Sequence, residues 1–329
     1  MFFSSHTLQK TLQSMNTLGK NGVPFLFLLD FELEKPLVLP LDELDSKEIL
    51  YKFSDIKNYG IHPDPHPVPL VFEKFPMSFP AYEAAFQQVK KELLYGNSFL
   101  TNLTFPTKIK TNYSLLQLFN KSRARYKLYY KNRFIVFSPE IFVKIRNGKI
   151  SSFPMKGTID AALPNALEKL MADTKEIAEH YTIVDLIRND LGIVSEKVEV
   201  KRFRYVERIR TVDKSLYQTS SEIEGTLPDG YTDHLGDIIL SLLPAGSISG
   251  APKKKTVEII QAAEGQKRGY YTGIMGLFDG QHLDSAVMIR YIEKNGDDLF
   301  FRSGCGITAQ SDGLSEYREM IDKVYVPLG

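Results

Sequence analysis

The chain has 329 residues, 43% hydrophobic and 25% charged, a balance that excludes a disordered, collagenous or membrane-embedded protein. Lysine plus arginine (41) nearly cancels aspartate plus glutamate (40), so a net charge of +1 gives no electrostatic basis for binding nucleic acid or an acidic membrane surface. Cys305 is the single cysteine, which rules out an internal disulfide, and Met1 to Met15 lacks the basic start and apolar core of a secretion signal, so a cytoplasmic location is expected.

Residues 1–75 read as an extended, strand-rich lead that is part of the same fold. It contains the apolar run Val23 to Phe31, too short to span a bilayer, and Pro-rich text from His62 to Pro69. Residues 76–329 carry the chemical motifs. From Tyr82 the positions Ala85, Phe86, Val89 and Leu93 follow helical spacing, Gly96 ends the helix, and Ser98 to Thr104 reads as a strand. Asn147-Gly148 marks a hairpin between Ile141–Ile145 and Lys149–Phe153. Asp173 and Glu176 open a helix predicted to reach about Asn189, and Pro252 begins one that stops before Gly265. Asp279-Gly280 and Asn295-Gly296 mark further hairpins, and a last helix covers about Leu314 to Val324. Hairpins without regular strand–helix alternation predict an α+β fold, with antiparallel sheets and flanking helices.

Several groups of residues have the make-up of chemistry. Glu316, Glu319 and Lys323 share a face of the last helix, as Glu176 and Glu179 do on the helix before Val184; each pattern fits a solvated face, and the four carboxylates together fit a hard cation such as Mg²⁺. Pro244 to Pro252, rich in small residues, leads into Lys253-Lys254-Lys255. Its glycines are spaced unlike a Walker A loop, and the lysines read as a solvated helix edge rather than a nucleic-acid patch. Gly304-Cys305-Gly306 would let backbone N–H groups approach a ligand, with Cys305 as a small buried residue. Lys156, next to Gly157, has the make-up of an amine nucleophile or of a surface lysine. Its candidate acid partner, Glu140, lies on the other arm of the hairpin. A two-residue loop would pair Glu140 with Met155, and a three-residue loop or a bulge would set it opposite Lys156.

In order along the chain, Phe137-Ser-Pro-Glu140, Pro154-Met-Lys-Gly-Thr158, Glu179 with Ile183 to Gly192, Pro244 to Lys253, Arg268 to Gly276, Ile289-Arg290, Ser303 to Ile307 and Glu316 to Lys323 resemble the chorismate-utilising enzymes. This is the family of anthranilate, aminodeoxychorismate, isochorismate and salicylate synthases, and the resemblance covers about Tyr82 to the end. It implies antiparallel sheets packed as a sandwich, with residues 76–329 as the chorismate-binding catalytic region. Glu179 and Glu319 become direct Mg²⁺ ligands, with Glu176 and Glu316 in the metal shell. Arg290, Lys323, Tyr271 and the backbone near Gly304 and Gly306 would hold the substrate's carboxylates, and Ser247 and Ser249 would line the ring pocket. Lysine at position 156 is similar to aminodeoxychorismate synthase, where anthranilate synthase generally has alanine. The resemblance therefore gives Lys156 as nucleophile and Glu140 as general acid, with ammonia from a separate glutaminase subunit. Leu100 stands where isochorismate and salicylate synthases carry a water-activating lysine, and Gln218 where the family has a histidine. The competing readings are anthranilate synthase component I and a catalytically silent chorismate-binding protein.

Overall fold

The computed structural model describes residues 6–60, 68–210 and 215–328, so the Pro-rich text at 61–67 lies outside the described residues. Among these, the helices are α1 (His6–Lys20), α2 (Phe79–Leu94), α3 (Leu115–Lys121), α4 (Ala166–Ala172), α5 (Thr174–Val194), α6 (Leu235–Ser241), α7 (Gly246–Ser249), α8 (Lys253–Glu264) and α9 (Gly313–Asp322). The strands form two nine-stranded sheets in which every pairing is antiparallel. The first sheet runs from Met155–Asp160 at one edge, through Ser215–Thr226, Lys149–Ser152, Ile141–Arg146, Leu283–Val287 and Ile274–Phe278, to Phe25–Leu29 and Leu37–Pro40. Toward one edge of the second, Leu100–Thr111 pairs with Asp298–Ile307, followed by Tyr291–Asn295, Phe134–Ser138, Tyr126–Tyr130 and Ile49–Phe53.

Strand Phe25–Leu29 shows why the sheets stack. All five residues are apolar and buried, and alternation sends Phe25, Phe27 and Leu29 into the core under α1, α5 and α6 while Leu26 and Leu28 enter the core between the sheets. On the second sheet, Leu103, Phe105, Cys305 and Ile307 pack against α2, α8 and α9. The result is the expected α+β sandwich with flanking helices.

Three details differ from the sequence reading. The lead opens with helix α1, whose Leu8, Thr11, Leu12, Met15 and Gly19 are buried at helical spacing; it is not strand-rich throughout. Helix α5 starts as predicted, with Asp173 accepting from the Glu176 N–H, but it runs past Asn189 to Val194 because Leu191 still packs into the core. Gly304-Cys305-Gly306 lies inside strand Asp298–Ile307, opposite Thr104, Leu103 and Asn102.

Candidate active site

Lys156 sits on the edge strand Met155–Asp160. Between the pairs Lys156–Thr219 and Thr158–Gln218 the register slips, with Gly157 at φ +74°. This bulge re-aims Lys156, and only glycine suits it: a Cβ there would lie 3.1 Å from Leu170 and 3.3 Å from Glu176 Oε2. Lys156 thus points from the first sheet toward the second. Its Nζ is 3.0 Å from Glu179 Oε2 and 3.9 Å from where a Cβ on Gly306 would stand.

A cavity of about 510 Å³ opens around Lys156, with walls from both sheets, α5, α9 and the loop through α7. Glu140, Tyr271, Gln218, Ser247, Arg290, Gly304, Gly306 and Lys323 line it, as do Glu176, Glu179, Glu316 and Glu319. Glu176 and Glu316 stand in the first turns of α5 and α9, where the helix dipole favours negative charge. Lys323, just after α9, donates to Glu319 at 2.7 Å and to the Gly304 carbonyl at 3.0 Å.

Glu140 and Lys156 meet by a route that neither loop length anticipates. The hairpin has the two-residue loop, with Arg146 opposite Lys149, but pairing with Ile141–Arg146 ends at Ser151–Lys144. Lys149–Ser152 and Met155–Asp160 both run along Ser215–Thr226, in one register as far as Lys156, and only the pairing with Ile141–Arg146 stops, so Glu140 and Lys156 are not cross-strand partners in either register. They share the cavity wall instead. The Glu140 carboxyl accepts a hydrogen bond from the Ser247 hydroxyl. Burial pushes its pKa up, opposed by that bond and by the charges of Lys156, Arg290 and Lys323. Burial also raises the Tyr271 phenol, leaving it a protonated donor.

Arg290 adopts φ +53°, an unfavourable conformation for a side-chain-bearing residue, and its buried Nε has no hydrogen-bond partner. A strained, unsatisfied guanidinium on a cavity wall is what an anionic ligand would complete. The four carboxylates offer hard oxygen donors, and ligand atoms of Glu316, Glu319 and Cys305 lie within 4.8 Å of one another. Two ammonium groups already lie against Glu179 and Glu319, so positive charge is favoured there, and the donor set fits a hard divalent cation.

Two residues are placed otherwise than expected. Ser249 is fully buried, donates to the Ala245 carbonyl and does not line the cavity. Lys253 is not part of a solvated edge: it is mostly buried and pairs with Asp190 at 2.8 Å, while Lys254 and Lys255 are exposed. Thr158, named in the sequence only as the end of a motif and given no role, joins the wall and accepts from Gln218 at 3.5 Å. Its signal was a β-branched residue directly after the glycine break. Cys305 is buried as expected, and burial pushes its thiol far up.

Residues 8–329 match the family described as chorismate binding enzyme. An uncharacterised PabA-like protein of Pasteurella multocida is 52% identical over 98% of this chain and 100% of its own length. Aminodeoxychorismate synthase component 1 of Bacillus subtilis is 32% identical over 76% of this chain and 55% of its own. Anthranilate synthase component I of Streptococcus pneumoniae superposes with a TM-score of 0.66 at 28% identity, covering 78% of this chain and 59% of that one.

Proposed function

Since the chain belongs to the chorismate binding enzymes, we propose that it is an aminodeoxychorismate synthase component I, replacing the C4 hydroxyl of chorismate with an amino group. The observation that carries this reading is Lys156, aimed by the Gly157 bulge into a cavity it shares with Glu140. In the first step Lys156, having released its ammonium proton to solvent, adds to C2 as the neutral amine, the ring double bond shifts and the C4–O bond breaks. Glu140 donates its proton to the departing hydroxyl, which leaves as water. Burial, which favours the protonated carboxyl, suits Glu140 to this role. Ammonia then adds at C4, the bond to Lys156 breaks by the reverse shift, and the Glu140 carboxylate takes the proton that the new amine sheds.

Arg290, Tyr271, Lys323 and the backbone at Gly304 and Gly306 orient the two substrate carboxylates, while Ser247 steadies Glu140. Gln218 donates a hydrogen bond but moves no proton. Glu179 and Glu319, with Glu176 and Glu316 beside them, would hold Mg²⁺, which when bound supplies counter-charge to a substrate carboxylate. Leu100 on the wall offers no base to activate water, which argues against isochorismate chemistry. Ammonia would come from a separate glutaminase subunit, and the product would feed 4-aminobenzoate and folate synthesis. A cytoplasmic setting agrees with one buried thiol; among the described residues no helix is long and apolar enough to cross a membrane.

The test is incubation with chorismate, Mg²⁺ and ammonium at mildly alkaline pH, with products separated by liquid chromatography and mass spectrometry. Aminodeoxychorismate is the expected product. Anthranilate would overturn the lysine argument, and unchanged chorismate with retained Mg²⁺ binding would mark a silent binding protein.

A further inference from the structure

The Asp190–Lys253 ion pair lies outside the cavity wall, yet it ties together two pieces of it. Asp190 is on α5, about three turns beyond Glu179, and Lys253 opens α8 directly after the loop that carries Ser247. Lys253 Nζ lies 2.8 Å from Asp190 Oδ1 and donates to the Leu242 carbonyl at 2.8 Å, so one ammonium spans both ends of the 243–252 loop. Gly246 closes the same contact: a Cβ there would lie 2.8 Å from Leu186 and 3.1 Å from Asp190 Oδ2. From the other side Arg268 holds the Ile248 carbonyl at 3.2 Å, and Gly250 bridges to Thr101. Ser247, between these anchors, donates its hydroxyl to Glu140.

We infer that Asp190 and Lys253 are positioning residues: their ion pair fixes the loop against α5 so that Ser247 reaches the Glu140 carboxyl. The inference deepens the reading of Glu140 as general acid and rests on it for its catalytic meaning. Burying two charges together costs desolvation and does not by itself stabilise a fold, so a geometric role accounts for the pair better than a stabilising one. The charged groups facing Glu140 are Lys156 from the edge strand, Arg290 beyond strand Leu283–Val287, and Lys323 after α9. Ser247 faces it from the loop. Only the last depends on the clamp.

The experiment follows the Glu140 carboxyl by infrared difference spectroscopy during a pH titration, identifying its band as the one absent from Glu140→Gln. In the double variant Asp190→Asn/Lys253→Met, which strands no charge, the midpoint should rise by about one pH unit, the tenfold change expected on losing a hydrogen bond to a charged acceptor. Ser247→Ala should show the same rise, and adding it to the double variant should shift the midpoint no further. Asp190→Asn alone serves if the double variant fails to fold. A wild-type midpoint in the clamp variants, or none of the rise in Ser247→Ala, overturns the inference. Covalent capture of chorismate without ammonia separates the two claims. Capture absent from the wild type, with the midpoint shift present, defeats the general-acid reading and leaves the positioning role. Capture present with no shift does the reverse.

Discussion

Arg268 and Arg290 are both drawn in from solvent, and their surroundings are opposite. Arg268 is 1% exposed and every nitrogen of its guanidinium is used: Nε and Nη2 bind Glu264 at 2.9 and 2.6 Å, Nη2 reaches the Asn102 carbonyl, and Nη1 reaches the Ile248 carbonyl and Thr272. Glu264 is satisfied in turn by the Thr104 N–H and hydroxyl. Arg290 has positive φ, an unpartnered Nε and a ring, Tyr325, 5.1 Å from its guanidinium carbon. The first arginine completes a structure, joining α8 to strand Leu100–Thr111 and to the loop through α7; the second lines a cavity with its buried Nε unpaired. The same contrast separates Glu264 from Glu140, a carboxyl held by one serine whose pKa burial pushes up. Charge that is fully paired specifies the fold, and charge left short of partners marks where a ligand belongs.

The contrast breaks most visibly on the structural side. Arg268→Ala should destabilise the chain by about 3–5 kcal/mol, because it leaves Glu264 buried and uncompensated, and chemical denaturation would read this directly. Lys156→Ala, by comparison, should leave the melting temperature near that of the parent while abolishing covalent capture and sharply reducing amination. Near-parental turnover would remove the covalent route. Glu140→Gln should lose about 10²–10⁴-fold in rate and yet gain stability. The sign follows from the direction of the shift. A carboxyl whose folded pKa is raised contributes its full stability below the unfolded value of about 4.3 and loses it as pH rises through the folded value. The glutamine, which stays neutral, should therefore melt increasingly above the parent as pH increases from about 4 to about 8. A constant difference across that range would contradict the assignment.

Mg²⁺ supplies a further comparison. At about one hundred times its dissociation constant it should stabilise the parent by about 2.7 kcal/mol, and Glu319→Gln should lose most of that increment; equal stabilisation of both would place the cation elsewhere. The smallest effect is expected at Lys255, whose exposed pair with Glu258 is 3.2 Å long. Its replacement by alanine should change stability by about 0.5 kcal/mol or less, whereas Lys253, two positions earlier, is part of a buried network.

That lysine triplet shows what a sequence can and cannot display. Strand Phe25–Leu29, the Asn147-Gly148 hairpin and the helix opening at Asp173 were legible because each is decided by local chemistry: continuous apolarity, two positive-φ residues and a side-chain cap. The burial of Lys253 depends on Asp190, 63 residues away in sequence, and no local pattern carries that pairing. Helix α1 was missed in a lead read as strand-rich, because the polar neighbours of Leu8, Leu12 and Met15 blurred their helical spacing. Residues placed in the cavity by family resemblance do converge there, Ser249 excepted. The relation of Glu140 to Lys156 was beyond reach because the hairpin ladder stops at Ser151–Lys144 while the chain stays on Ser215–Thr226, a topological fact rather than a turn preference.

The central claim is that Lys156 is the nucleophile that separates amination from the other reactions of this family. Its most direct test is intact-protein mass spectrometry after incubation with chorismate and Mg²⁺ without ammonia. The account predicts an adduct heavier by chorismate less one water, located on Lys156, absent from Lys156→Ala and discharged as aminodeoxychorismate when ammonium is added. No adduct on the parent chain, together with equal product formation by Lys156→Ala, would contradict it.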